Sequence, residues 1–513
     1  MKKSRQINQL KSGAMLSYVN LIIGMIVPLL YTPIMLRILG QEEYGLYGLS
    51  NSVISYLSLL TLGIGMSIPR YLVRYRTENN KEMVQRMTGL FVMIYLCIAL
   101  VTVIVGVAIT FFTGTWFAEG LTGPEIAKLN KLIIIMSIST AVSLVSAVYS
   151  SVMICYERYL FRRLMDIVGT LLAPVLNLIM LYSGYASVGM AVMALVLQLA
   201  FLLVNMGYCK KALGIATRFR NLPYHFLKEI FGFTAFMFIG MIADMLYWAT
   251  DKVLLGAMIG SAAVAVYNVG TTFNSVFQSM AGAISNVFVT RVNALVCEKR
   301  SVNVISELMI RVGRVQYLVI ALVLGGFISF GLPFVRIWGG EGYDEAYVVA
   351  LVTMIPLTIP LIQNVALNTL FAMKRHQFRS ILYAVLAVAN VVGTYLLIPV
   401  MGMVGAAWCT CVVFVIGHGL LMNWFYYKKI GLNIPLFWWN ILKMTFVPAV
   451  MVVGALGLQR YWISVDNIWK LGTAALSFTV IYGAASWVIS MNEYEKDLVR
   501  GFIGKFIHKK AAQ

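Results

Sequence analysis

The sequence predicts an all-α polytopic membrane protein of about fourteen spans. Three observations predict it: an apolar composition, a series of apolar runs about twenty residues long, and an alternation of basic charge between those runs. Of the 513 residues, 60% are hydrophobic and only 12% are charged, whereas a soluble domain is roughly a quarter charged. With a mean hydropathy of +0.84, a chain of this length cannot hide its apolar surface in a water-bounded core, so the bilayer must be its solvent. The net charge of +20 is not a nucleic-acid signature, because the basic residues sit in short segments between apolar runs and form no soluble basic face.

Taken in order, the apolar runs cover residues 13–36, 47–69, 87–112, 131–155, 164–183, 187–208 and 230–256, then 263–290, 313–333, 346–372, 380–399, 403–426, 437–458 and 468–490. The first is about 24 residues long and lacks an Ala-x-Ala-like cleavage site, which makes it a span rather than the ~7–15-residue core of a secretory signal. Alternate loops then divide the Lys and Arg residues unequally. One side carries 32 of the 40, beginning with Lys2, Lys3, Arg5 and Lys11 and including Arg70, Arg74, Arg158, Arg162, Arg163, Arg291, Arg311 and Arg314. The other carries Arg37, Lys128, Lys131, Lys252, Arg336, Arg460 and Lys470, with Lys443 near the start of span 13. A miscounted span would scramble that asymmetry, and by the positive-inside rule both termini are expected in the cytoplasm.

The remaining chemistry is sparse. Cys97, Cys155, Cys409 and Cys411 fall in or beside apolar runs and Cys209 and Cys297 in basic loops, so no disulfide framework is implied. The Cys409-x-Cys411 pair points its side chains in different directions on a helix and lacks further ligands, so neither a metal nor another cofactor is expected. Every loop is short, the longest outward one running from about Thr113 to Asn130. There is no room for an external catalytic domain and no GxxxxGK[ST] or HExxH motif, so an enzyme is not expected.

An internal repeat shapes the expected architecture. Gly40 and Tyr47 match Gly260 and Tyr267 at an offset of 220, Arg158, Phe161 and Arg162 match Arg375, Phe378 and Arg379 at 217, and Val188-Gly189 matches Val404-Gly405 at 216. Three matches in order divide the chain into residues 1–216 with spans 1–6, 217–430 with spans 7–12, and 431–513 with two further spans and a basic tail. Six spans separate the halves, so they share orientation, the parallel-repeat arrangement of transporters that hold a substrate between two bundles.

Four segments then carry a likeness to a known family. They are Pro33-Ile-Met-Leu-Arg37-Ile-Leu-Gly40-Gln-Glu-Glu-Tyr44-Gly45-Leu-Tyr47; Asp251-Lys252-Val-Leu-Leu-Gly256 with Tyr267; Gly339-Gly-Glu-Gly-Tyr343-Asp-Glu-Ala346; and Asn390 with Pro399-Val-Met-Gly402-Met-Val-Gly405-Ala-Ala407. Over roughly residues 10–430 the chain resembles the Wzx-type polysaccharide exporters of the multidrug, oligosaccharidyl-lipid and polysaccharide (MOP) superfamily. The resemblance implies a fourteen-helix, two-lobed fold in the bacterial cytoplasmic membrane. It also implies movement of an undecaprenyl-pyrophosphate-linked oligosaccharide from the inner to the outer leaflet by alternating access. Lipids and other polysaccharide-assembly proteins are the implied partners. The chain departs from the pattern at the end of span 2, where Thr61-Leu62-Gly63 stands in place of an Asp-x-Gly.

Intramembrane charge names the candidate site, since each such group costs about 2.5–3.5 kcal/mol on insertion scales. Asp244 and Asp251 are seven residues apart on span 7, almost on one helical face, with Tyr247 and Trp248 between them and Lys252 adjacent. That acidic and aromatic stripe suits sugar hydroxyls and ring faces, although an interfacial belt has the same composition. Arg37, Arg70, Arg74 and Arg291 are the candidate hosts for pyrophosphate, to which a guanidinium fork is matched, and ordinary topological charge is the competing account of each. Asn20, Asn51, Gln278, Asn364 and Asn390 suit either sugar binding or helix-to-helix hydrogen bonding. Pro28, Pro33, Pro356 and Pro360 are candidate hinges, and His418 is read as a packing residue. Two other functions share the superfamily: a multidrug or cation antiporter, which would want a carboxylate that span 1 lacks, and a peptidoglycan-precursor flippase, which the residues do not exclude.

Overall fold

A computed structural model of the chain describes residues 2–510 apart from 62–63, 286–287, 374, 376 and 462–464. Side chains are described for these except at 2–14, 18, 66, 231–237, 239–240, 243–244 and 502–510. Every regular element among the described residues is helical, as hydrocarbon requires of a chain that must close its backbone hydrogen bonds within each segment.

Helix α1 (Lys2–Leu57) is interrupted at Gly40, where φ is 76° and ψ 175°. An unbroken helix of 56 residues would be about 84 Å long, far more than the ~30 Å hydrocarbon core, so the first span ends at Gly40 and the second starts at Gln41. The second is itself broken: it passes through short 3-10 turns at Ser58–Thr61 and Ile64–Met66 before α2 (Ser67–Thr77). The sequence-based span 47–69 therefore begins late and runs across a break, and Leu62 and Gly63 of its departure from the family pattern lie outside the described residues. Next come α3 (Lys81–Thr110), α4 (Thr113–Trp116) and α5 (Gly123–Cys155). Asn80 caps α3 by accepting from the Met83 N–H at 2.9 Å, and Glu125 caps α5 by accepting from the Thr122 N–H at 2.8 Å. They are followed by α6 (Tyr159–Tyr182), α7 (Ala186–Ala212), α8 (Phe226–Trp248) and α9 (Thr250–Met258), the last two separated at Ala249. Helices α10 (Ser261–Ser285) and α11 (Val289–Cys297) meet at a 47° bend.

The remainder comprises α12 (Val302–Gly339), α13 (Asp344–Ile362), α14 (Asn364–Ala372) and α15 (Gln377–Phe414), which breaks at Gly402 (φ 60°, ψ −143°). A widened helix then runs through α16 (Asn423–Phe425) to Ile430, and α17 (Ile434–Tyr461), α18 (Ile468–Ala485) and α19 (Glu493–Lys510) complete the chain. Ten helices among the described residues are long and apolar enough to cross a membrane, or eleven with the bent α10–α11 pair. Two of the ten, Met15–Thr61 and Gln377–Ile430, contain the breaks at Gly40 and Gly402 and supply two spans each. The seventh sequence-derived span, over α8 and α9, runs partly through side chains outside those described.

Two compact units emerge, residues 1–268 with 383–403, and 269–382 with 404–513. In the first, α5 is central and packs against α1, α2, α3, α6 and α7. Close approach is made possible by small residues: a methyl group at Gly106 of α3 would stand 2.0 Å from Ser137 Oγ of α5. Ile64, Ile68, Leu72, Met87, Leu90, Phe91, Val148 and Val152 form its buried core. In the second unit α12 is central, packing against α13, α14, α17 and α18. The glycines paired by the sequence repeat, Gly40 and Gly260, both take positive φ, at 76° and 125°.

Two sequence-based placements change. Arg311 and Arg314, counted with a basic loop, lie inside α12, and Cys209 lies buried in α7, its thiol donating to the Tyr149 carbonyl at 3.6 Å. In each case the helix extends past its apolar run, by about three turns before residue 313 in α12 and about one turn after residue 208 in α7, which hydropathy does not register.

Candidate functional site

The second half of α1 carries a polar stripe at helical spacing: Tyr44, Tyr47, Gly48, Asn51, Ser52 and Ser55. Within the first unit this stripe lines a cavity of about 510 Å³, together with Tyr31, Asn177, Trp248, Lys252 and Asn268. Helix α9 supplies the cation. Lys252 Nζ donates to Asn268 Oδ1 at 2.6 Å, and Asn268 Nδ2 donates to the Tyr44 hydroxyl at 2.7 Å. Gly48 makes room for this amide, since a methyl group there would lie 3.3 Å from Asn268 Nδ2. Tyr56 and Thr250 join their hydroxyls at 2.5 Å beside it.

Asp251 precedes Lys252 and is turned about 100° from it around α9. It is 2% exposed and accepts from the Tyr267 hydroxyl at 2.6 Å, Thr394 Oγ1 at 3.2 Å and Asn390 Nδ2 at 3.4 Å. Charge-assisted bonds of this kind offset the desolvation of a buried carboxylate. The helical step within α9 thus sets two adjacent charges to two tasks, with Asp251 joining α9 to α10 and α15 while Lys252 faces the cavity.

Of the sequence-predicted site residues, the structure brings Trp248 and Lys252 to the cavity wall and places Asp251 in the network behind it. Tyr247 is buried, its ring 6.4 Å from that of Tyr383. Asp244 lies on α8 with its side chain outside the described residues. Arg37 is exposed three residues before the Gly40 break, and Arg70 is exposed on α2. Arg74, also exposed, sits 3.4 Å from Glu78 Oε1. Arg291 is exposed on α11 in the second unit. No group of three or more His, Cys, Asp or Glu side chains able to hold a metal ion occurs among the described residues.

Comparison with known proteins gives this geometry its context. Residues 10–289 match the family described as "Polysaccharide biosynthesis protein", more than half of the chain. The chain belongs to this polysaccharide biosynthesis protein family. Among curated relatives, the "Uncharacterized membrane protein EpsK" of Bacillus subtilis (strain 168) is 22% identical over 327 residues, covering 61% of this chain and 62% of that protein's length. Among solved structures, "Lipid II flippase MurJ, inward closed conformation" superposes with a TM-score of 0.70 at 13% identity, covering 95% of this chain and 99% of that one. A multidrug resistance MATE family transporter of the MOP superfamily, in an inward-facing conformation, gives 0.61 at 15% identity, covering 83% and 99%. At such identities the structures show a shared fold. This polysaccharide biosynthesis protein therefore shares its fold with a solved flippase and a solved MOP-superfamily transporter.

Within this family member, Tyr31, Tyr44, Asn177 and Asn268 are cavity residues that the sequence reading passed over. The spacing of Tyr44, Tyr47, Asn51 and Ser55, which repeats every three or four residues, was the available signal for one wall. Nothing in the sequence brings Tyr31, Asn177 and Asn268 to the same place.

Proposed function

We propose that this polysaccharide biosynthesis protein is a transporter of the MOP superfamily, a flippase that moves a lipid-linked oligosaccharide, anionic at its pyrophosphate, from the inner to the outer leaflet of a bacterial cytoplasmic membrane by alternating access. The observation that carries the reading is Lys252, a membrane-embedded ammonium held by an amide in a cavity lined with phenols, an indole and carboxamides. Phenol and amide groups both donate to and accept from sugar hydroxyls, and the ammonium attracts phosphate oxygens. With the cell interior negative, each net negative charge leaving gains about 2.3 kcal/mol per 100 mV, so such a substrate needs no co-transported ion. Cytoplasmic termini follow from the distribution of Lys and Arg, and partnership with other polysaccharide-assembly proteins follows from the substrate. The test is transport of a fluorescent lipid-pyrophosphate sugar by the purified chain in vesicles. Losing a charged contact worth about 1.5–3 kcal/mol, Lys252→Met is expected to slow transport roughly 10- to 100-fold. No transport by wild type under either sign of membrane potential would overturn the reading.

A further inference from the structure

A second cavity of the first unit, about 770 Å³, lies among α5, α6 and α7 and takes no part in the Lys252 site. Its walls mix apolar side chains with a set of polar ones. Ser143, Ser146, Ser150 and Ser151 of α5 line it at spacings that put them on one helical face. From α7 come Gln198 and, seven residues on, Asn205. Asn205 is 6% exposed and its Nδ2 donates to Ser146 Oγ at 3.1 Å, but its Oδ1 is buried with no hydrogen-bond partner. A buried carbonyl oxygen is costly to leave unsatisfied, and a turn of the Asn205 amide, which borders the cavity, would bring this acceptor to a donor there.

Helix α6 closes the groove and divides its environments. One face presents Asp166, Gly169 and Thr170 to the cavity, while Leu164, Val168, Leu171, Val175 and Ile179 are exposed apolar residues suited to lipid. At the mouth, Arg162 and Arg163 share one carboxylate, Asp166, at 3.5 and 3.2 Å, which leaves a net positive charge there. Phe201 offers a ring at the groove wall, and α6 can lie this close to it because residue 169 is glycine: a methyl group would meet the ring at 3.1 Å.

We propose that this groove is a glycan subsite, in which Asn205, Gln198 and the α5 serines bind the sugar head of the substrate while Arg162 meets its pyrophosphate and the lipid tail stays against the apolar face of α6. The inference rests on the flippase reading above and adds to it a second place, apart from the Lys252 cavity, where the head group is held during the cycle. Sugars present paired donors and acceptors and an apolar ring face, which these side chains complement. An acyl chain would leave Asn205 Oδ1 unsatisfied. The volume falls within the ~300–1,000 Å³ usual for a ligand site.

The test measures binding to the full chain in lipid nanodiscs of two probes: undecaprenyl pyrophosphate, and the same lipid carrying the oligosaccharide of a host whose surface polysaccharide the wild-type chain restores. The sugar is expected to tighten binding to wild type. Asn205→Leu and Ser150→Trp, checked for unaltered thermal unfolding, are each expected to reduce that sugar-dependent gain at least tenfold while changing affinity for the sugarless lipid less than twofold. An unchanged gain in a folded variant overturns the glycan subsite, as does equal loss of both probes, which would mark a lipid-tail groove. A wild-type chain that binds neither probe would overturn the flippase reading itself.

Discussion

A buried ion pair in the second unit allows the energetics to be worked through. Arg314 of α12 and Glu495 of α19 meet in a bidentate pair, Nε to Oε1 at 2.6 Å and Nη2 to Oε2 at 3.0 Å, with side chains 9% and 2% exposed. The guanidinium also donates to the Ser490 carbonyl at 2.9 Å and to Asn440 Oδ1 at 3.4 Å, while the carboxylate accepts from the Asn492 N–H at 3.0 Å, capping α19. Removing one partner leaves the other charge buried and uncompensated, at a cost of about 3–5 kcal/mol. Removing both, as in Arg314→Met with Glu495→Leu, leaves apolar groups of similar size, and replacing a buried pair in this way is often neutral or stabilising. Arg314→Met and Glu495→Leu are therefore each expected to destabilise the protein by about 3–5 kcal/mol, and the double variant to lie within about 1 kcal/mol of wild type.

The assay is a double-mutant cycle on denaturant unfolding in detergent, with limited trypsin digestion reporting release of α19. High salt should change the wild-type result little, because buried pairs are poorly screened. Additive single-variant effects, or single variants within about 0.5 kcal/mol of wild type, would refute the reasoning and return Arg314 to the status of a topological charge.

Two further outcomes follow from the first unit. Asn268→Asp would give Lys252 a carboxylate partner and so tie up the ammonium; transport in the vesicle assay should fall further than in Asn268→Leu, and the reverse order would show that the amide acts through packing alone. Gly106→Leu forces a side chain against Ser137, 2.0 Å from where a methyl group would stand, and should cost about 1–3 kcal/mol by overpacking, read as a lower unfolding midpoint with α3 and α5 loosened in hydrogen exchange.

The parts of this structure legible in the sequence are those fixed by local periodicity. Apolar run length and the Lys/Arg ladder identify a polytopic helical chain because a bilayer imposes both on every segment separately. Gly40 and Gly402 were visible as residues of the family pattern, but that each takes positive φ and splits a long helix depends on the backbone path on either side. Arg314 reads in sequence like any basic residue near a cytoplasmic loop; its partner is 181 residues away, and no spacing rule connects them. Lys252 was found as a rare intramembrane charge, yet the other side chains that build its cavity come mainly from α1, α6, α7, α8 and α10. The α5 serines were invisible for a different reason: serine is common in transmembrane helices, where its hydroxyl bonds back to its own helix, as Ser151 does to the Ala147 carbonyl. Only the unsatisfied Asn205 beside them marks that wall as more than packing.

Buried Arg314 and half-buried Lys252 show what would separate a structural charge from a working one. Arg314 is held by a carboxylate in a fork, together with a backbone carbonyl and an amide. Any anion competing for it would have to strand Glu495 in an apolar surround, at about 3–5 kcal/mol, so the pair stays closed and fixes α19 in place. The hydrogen bond of Lys252 goes instead to the neutral amide of Asn268, and exchanging such a bond costs about 1.5–3 kcal/mol. On the proposed flippase reading, an incoming phosphate would take over that ammonium and later release it without leaving a buried carboxylate behind. A transporter must both bind and let go within each cycle, and tight neutralisation of the site by an internal carboxylate would oppose the first step as strongly as an excess of fixed cations would oppose the second. A single ammonium, held by an amide and surrounded by hydroxyls, meets both demands.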